Sequence, residues 1–285
     1  MELIWEWLVM VMVITTLVEN TSVSKEFKCK HGLSLYIKTD KHNILFDLGS
    51  NGLFIENAIK LNIDISDVDI VIISHGHKDH GGALKLFLQH NSKAKIYIHK
   101  DAFNKYYTSV LGALKFYVGL DDRLQFNERI VFTENIFEVD ESLCLFSNVP
   151  KKYETASSNN SLFIKIDGKY YKDDFTHEQN LLIKENDKYI LIAGCAHKGI
   201  VNIVEKAEEI MASNISTVIS GFHLFNPVNK KSESLEFISN IVKCLNNKDT
   251  VFYTCHCTGN KAFNILKENL RDKIMHLSTG QVIEI

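Results

Sequence analysis

Three imidazoles and one carboxylate crowd into six positions of this sequence, His75-Gly76-His77-Lys78-Asp79-His80. The segment before them, Asp69 to Ile73, is dominated by β-branched residues and reads as a strand buried on both faces. The segment after them, Gly81 to Gln89, has helical spacing. Side chains at the C-terminal end of a buried strand converge on a fixed point, which is what a metal ion requires of its ligands. His75 and His77, two positions apart, point to one side of an extended loop. Asp79 and His80 fall at the helix start and face a neighbouring point. The donors therefore split two and two between a pair of divalent ions, and imidazole with carboxylate suits Zn²⁺ first, Mn²⁺ or Fe²⁺ second. A polar surface loop assembled by chance is the competing reading, and the density of histidine at a strand end argues against it.

Alternating elements must position these groups. Val13 to Val18 reads as a first strand, Leu33 to Ile37 and Asn43 to Phe46 as two short strands, and Gly52 to Leu61 as a helix. Ala94 to Ile98 returns to strand. Residues 101–176 are irregular and read as loops, a short helix and edge strands over one face of the core. Asn180 to Lys184 and Tyr189 to Ala193 form a hairpin, followed by helix Ile200 to Met211, strand Thr217 to Ser220, helix Ser232 to Leu245, strand Thr250 to Thr254 and helix Lys261 to Leu270. Two halves of similar order imply two sheets face to face with helices outside, a four-layer αββα sandwich in a single domain over residues 1–285. Before Val13 the chain is apolar, but Glu2 and Glu6 occupy the place of a basic leader region. Residues 1–11 read as a non-essential extension, with a targeting or membrane-associating segment as the alternative.

The second-half motifs complete a resemblance. His75-Gly76-His77-Lys78-Asp79-His80 resembles the H-x-H-x-D-H signature of the metallo-β-lactamase superfamily, and Asn43-Ile44-Leu45-Phe46-Asp47-Leu48-Gly49 resembles its second-strand element, whose Asp stands behind the metal ligands. His31-Gly32-Leu33-Ser34, Gly194-Cys195-Ala196-His197, Gly221-Phe222-His223-Leu224 and His256-Cys257-Thr258-Gly259 are similar to the methanopterin-pathway 7,8-dihydropterin-6-methyl-4-(β-D-ribofuranosyl)aminobenzene-5′-phosphate synthases. The resemblance implies a two-metal site in which His75, His77 and His197 hold one ion and Asp79, His80 and His256 the other. His177 is the rival third ligand of the first ion, although acidic neighbours suggest an exposed, mobile loop. Cys195 stands where many relatives place a bridging Asp. It reads either as a thiolate ligand or as a small buried residue beside the site. His223 ends another strand and reads as a substrate contact or base, as a direct ligand, or as a structural histidine. Asp47 accepts the free N–H of a bound imidazole or merely forms a turn. Cys255 and Cys257 flank His256, and strand alternation places both on the opposite face. His31, His42, His90, His99 and His276 read as ordinary.

Such a site implies hydrolase or transferase chemistry by a metal-bound hydroxide, with Asp79 and His223 as catalytic groups and a small anionic, phosphate- or pterin-like molecule as substrate. A diiron redox or O₂-sensing protein is the alternative. The resemblance weighs against it, because His77 stands where oxygen-reducing members carry Glu. Composition narrows the field further. With 32 Lys+Arg against 35 Asp+Glu there is no basic excess for nucleic acid, and no apolar run reaches the ~18 residues of a membrane span. Six cysteines without a paired framework point to a reduced, cytoplasmic protein. A homo-oligomer is left open.

Overall fold

The computed structural model describes residues 11–110, 112 and 114–285. The readings made for the segment before Val11 lie outside the described residues. Two seven-stranded sheets form the centre. The first runs in the order β20 (Val282–Glu284), β1 (Val13–Val18), β2 (Ser34–Lys38), β3 (Asn43–Phe46), β4 (Ile70–Ile73), β5 (Lys95–His99), β8 (Ile130–Thr133). The second runs β19 (Ile274–His276), β18 (Val251–Cys255), β15 (Thr217–Gly221), β14 (Lys188–Ile192), β13 (Asn180–Glu185), β10 (Leu143–Phe146), β9 (Ile136–Glu138). In each sheet, parallel pairing follows an antiparallel hairpin: β3–β4–β5–β8 in the first, β14–β15–β18–β19 in the second.

Strand alternation sorts the core into layers. In β4, Ile70 and Ile72 face the other sheet, meeting Leu181, Ile183, Ile190 and Ile192. Val71 and Ile73 face outward against α1 (Leu53–Lys60) and α3 (Leu84–His90), with Phe54, Ala58, Leu84 and Phe87. On the other side Leu191, Val218 and Phe252 pack against α4 (Ile200–Met211), α5 (Leu235–Asn246) and α6 (Asn260–Leu270) through Ile203, Val204, Ile238, Leu245 and Leu266. The αββα sandwich expected from the sequence is the observed architecture. Among the described residues no helix is long and apolar enough to cross a membrane.

Three expectations change. The helix over Gly81 to Gln89 is two short helices, α2 (Lys78–Gly81) and α3. The helix placed at Ser232 begins at Leu235, because the Ser234 hydroxyl caps the Phe237 N–H at 3.1 Å. Residues 101–176 are more regular than their composition suggests. Besides β8, β9 and β10 they form a separate sheet in the order β12 (Lys169–Lys172), β11 (Leu162–Ile166), β6 (Lys105–Val110), β7 (Leu114–Tyr117). These strands are only half covered, so they lack the apolar runs that mark a core strand. A two-strand ribbon, β16 (Phe225–Asn226) with β17 (Lys231–Ser232), completes the fold.

Gln179 stitches the sheets together beneath the metal loop. It precedes β13 of the second sheet, yet its buried amide donates to Ile73 O at 2.8 Å and Tyr97 O at 3.1 Å and accepts from Thr133 Oγ1 at 2.5 Å, reaching three strands of the first. Truncation would leave these groups unpaired, at about 1–3 kcal/mol for each orphaned group. Gln179→Ala is expected to lower stability by about 3 kcal/mol in urea unfolding with an unchanged m-value. A loss below about 0.5 kcal/mol, the usual size of a surface substitution, would show that the stitch contributes nothing.

Candidate metal centre

The centre is built from strand ends that turn sharply. Asp47 after β3, Ala196 after β14, His223 after β15 and His256 after β18 all have left-handed backbones, with φ of 59°, 56°, 52° and 51°. Such turns are strained for non-glycine residues and are held by surrounding bonds. They bring Cys195, His197, His223 and His256 to the loop that follows β4; these four line one cavity with His77 and Asp79, and His75 and His80 are fully buried.

Hydrogen bonds set the protonation of each ring. Asp47 is fully buried and acts only as an acceptor. It takes Ser74 N–H at 2.8 Å, Ser74 Oγ–H at 2.7 Å and His80 Nδ1–H at 2.6 Å. Having donated to Asp47, the Ser74 hydroxyl accepts from His75 Nδ1 at 2.9 Å. Both rings therefore carry a proton on Nδ1, leaving Nε2 for a metal ion. His197 and His256 are clamped in parallel ways. A buried glutamate takes the backbone N–H of each: Glu178 at 2.6 Å from His197, Glu19 at 2.7 Å from His256. One asparagine then spans the same residue, donating to its carbonyl and accepting from Nδ1. For His197 it is Asn159, at 2.8 and 2.9 Å; for His256 it is Asn20, at 3.0 and 2.9 Å.

The bare Nε2 atoms give the test of whether metal fits. Nε2 of His75 and of His197 are buried without a hydrogen-bond partner among the described residues, a costly arrangement unless a cation fills it. Nε2 of His80 and His256 face each other at 3.2 Å, with Asp79 Oδ2 at 3.3 Å from His256 and 3.7 Å from His80. The donor atoms of His75, Cys195 and His197 lie within 4.8 Å of one another, as do those of His80, Cys195 and His256. These clustered donors are of the kind that hold divalent metal ions.

Charge agrees with this. Burial and the neighbouring His80 and His77 depress the His75 imidazole well below 6.5; burial and His223 do the same to His197. Both rings are neutral, as ligands must be. Burial would also lower His80, but the Asp47 and Asp79 carboxylates outweigh it and push its pKa up to about 9. Burial would raise the Asp79 carboxyl, yet His80, His256 and His31 hold it well below the usual range.

Several expectations are corrected. His177 is fully buried, not on a mobile loop. Its Nδ1 accepts Gly76 N–H at 2.9 Å and its Nε2–H faces Asp173 at 3.2 Å, so both nitrogens are engaged and it braces the metal loop. His77 Nε2 lies 3.8 Å from the same Asp173. That separation is too long for a hydrogen bond, so His77 Nε2 is also buried without a partner among the described residues. Cys257 does not face away: β18 ends at Cys255, and the turn at His256 carries the Cys257 sulfur to the rim, within 4.8 Å of Cys195 and His223 donor atoms. His31 is not ordinary either, since its Nε2 lies 3.2 Å from Asp79. The cavity beside the centre holds about 370 Å³ and is lined by His31, Lys30, Lys78, Tyr117, Ser158 and His223 among others.

Two measurements follow. His197→Ala is expected to lose bound metal, whereas His177→Ala keeps it and weakens affinity by about 10–100-fold, as removal of an orienting partner does; the opposite ranking in metal titrations would make His177 the ligand. In the metal-free chain, His80 is bound more tightly to its proton when folded than when unfolded, so its contribution is complete below about pH 6.5 and lost as pH rises through about 9. His75 and His197 act oppositely, destabilising the fold as pH falls below about 6.5. Thermal unfolding under chelator should peak near pH 6.5, and Asp47→Asn should flatten the alkaline limb. A midpoint still rising at pH 9 would contradict the His80 assignment.

Residues 28–146 match the family model of the metallo-beta-lactamase superfamily. An uncharacterised protein of Methanocaldococcus jannaschii is 31% identical over 277 residues, covering 95% of this chain and 100% of that protein. The 7,8-dihydropterin-6-methyl-4-(beta-D-ribofuranosyl)-aminobenzene-5′-phosphate synthase of the same organism is 27% identical over 290 residues, covering 95% and 96%. The crystal structure of a metal-dependent hydrolase of the β-lactamase superfamily superposes with a TM-score of 0.82 at 31% identity, covering 96% of this chain and 99% of that one. With its two sheets and its histidine-rich strand ends, this chain belongs to the metallo-β-lactamase superfamily.

Proposed function

We propose that the chain is a binuclear metal-dependent hydrolase or transferase acting on a small anionic, phosphate- or pterin-bearing molecule. The observation that carries this reading is the set of buried, bare imidazole nitrogens converging beside a cavity. His75, His77 and His197 hold one ion; Asp79, His80 and His256 hold the other. Two divalent ions, Zn²⁺ first, supply there an activated water and a Lewis acid for the electrophilic oxygen.

The chain's own groups do the rest. Both ring nitrogens of His223 are buried without a partner among the described residues and open on the cavity. That ring holds or delivers a proton at the scissile bond. Asp79 orients His31 and His256 while it binds metal. Lys30 and Lys78 at the cavity lining meet the substrate's negative charge, and the phosphate product of the synthase relative supports the same substrate class. Ser158, bonded to the His223 carbonyl at 3.1 Å, ties the covering loop to the catalytic ring. The six cysteines are free thiols, in keeping with a reducing cytoplasm. A diiron redox protein is the second reading, favoured by the two thiols at the rim; visible colour of the purified protein would select it.

The test is metal analysis of purified protein followed by phosphomonoester, phosphodiester, lactone and thioester substrates. Two ions per chain and turnover lost on chelation, restored by Zn²⁺, are expected. His223→Ala should keep both ions and lower kcat by about 10²–10⁴-fold, the usual value of general acid–base catalysis. Loss of an ion in that variant would make His223 a ligand instead.

A further inference from the structure

The two histidine groups share one atom. Cys195 Sγ belongs both to the group with His75 and His197 and to the group with His80 and His256, and it lies 3.1 Å from His80 Nε2. The Nε2 atoms of His75 and His197 in the first group are buried without a partner among the described residues, and those of His80 and His256 in the second face each other at 3.2 Å. We infer that the Cys195 thiolate bridges the two metal ions, in the position where many relatives carry a carboxylate. This rests on the two-metal reading above and adds the bridging donor.

The backbone is arranged to put the sulfur there. A Cβ on Gly194 would lie 2.3 Å from Ser74 Oγ and 3.3 Å from His75 Nδ1, so only glycine lets this strand end approach the metal loop closely enough. The neighbouring Gly221 has the same constraint, its Cβ position lying 2.5 Å from Cys257 Sγ. That Cys257 sulfur accepts the His223 backbone N–H at 3.3 Å and donates to the Cys195 carbonyl at 3.5 Å. Cys257 thereby supports the loop that carries Cys195 without entering either histidine group. When an ion binds, the metal–sulfur bond replaces the S–H bond and the proton passes to solvent. A shared thiolate makes both positions soft, so the centre takes Zn²⁺, Co²⁺ or Fe²⁺ and discriminates against Mg²⁺ and Ca²⁺.

Cobalt(II) reports this directly, because a thiolate ligand gives a near-ultraviolet charge-transfer band that nitrogen and oxygen ligands lack. The full chain is titrated with Co²⁺ alone. The band is expected to grow across both equivalents, to vanish in Cys195→Ser and Cys195→Asp, and to persist in Cys257→Ser. Cys195→Asp should still bind two ions, since it restores a bridging carboxylate, so loss of the band there is not a failure to fold. Four results would overturn the inference: two ions bound without the band, a band complete after one equivalent, a band that survives Cys195→Ser, or a band removed by Cys257→Ser alone. Failure of the wild-type chain to bind Co²⁺ would remove the two-metal reading itself, and with it the bridge. Stoichiometry thus tests that reading, and the spectrum tests the thiolate.

Discussion

The Asp47 carboxylate is the constraint on which the centre depends. It is fully buried and is compensated by three donors: a backbone N–H, a hydroxyl and an imidazole N–H. Because Ser74 donates to Asp47, it can only accept from His75. One negative charge thus fixes the tautomers of both His75 and His80. The same charge, with that of Asp79, pushes His80 up to about 9 against burial, while burial and the neighbouring His80 and His77 depress His75 well below 6.5. In the metal-free chain a proton on His80 occupies the gap to His256 that a cation would fill.

The parallel clamps on His197 and His256 extend the same logic. Each residue comes from a different strand end in the second sheet, yet each has its N–H on a buried glutamate and its carbonyl and Nδ1 on one asparagine. Three bonds per residue hold a ring to the few tenths of an ångström that coordination demands. They also satisfy backbone groups that the left-handed turns take out of the sheets. Glu19 and Asn20 follow β1, and Asn159 sits in the loop before β11. The most distant parts of the chain therefore close on the same point, and the metal site and the fold's topology are specified together.

How much of this was legible in the sequence follows from what each signal measures. β1, β3 and α4 were readable to the residue, because buried elements carry their apolar period openly. The His75 to His80 loop was readable because several candidate ligands are local. His177 was misjudged because Asp173 and Glu178 read as solvent-facing acids. In the fold both are buried, one as partner of His177 and His77, the other as the clamp of His197. Cys257 was misplaced because alternation assumes that a strand continues, and a single left-handed residue ends it. The role of His31 depends on contact with Asp79 across 48 positions of sequence, which no local pattern contains, although the His31-Gly32-Leu33-Ser34 resemblance marked the segment. Asn159 and Asn20 carry no sequence signal of this kind at all.

The centre's electrostatics explain why so many polar groups can be buried in one place. Four histidine Nε2 atoms, a carboxylate and a thiol meet where little water reaches, a grouping that isolated burial would make prohibitive. Histidines remain neutral where only lone pairs face inward, and one is charged where two carboxylates flank it. The cluster is therefore arranged for positive charge before any ion arrives. On the proposed reading, two cations would complete a network whose carboxylates, hydroxyl and amides are already oriented by the sheets. Stability and metal affinity are consequently one property: the bonds that hold Asp47, Glu19 and Glu178 in the fold are the bonds that aim the ligands, and a change that loosens any of them acts on both.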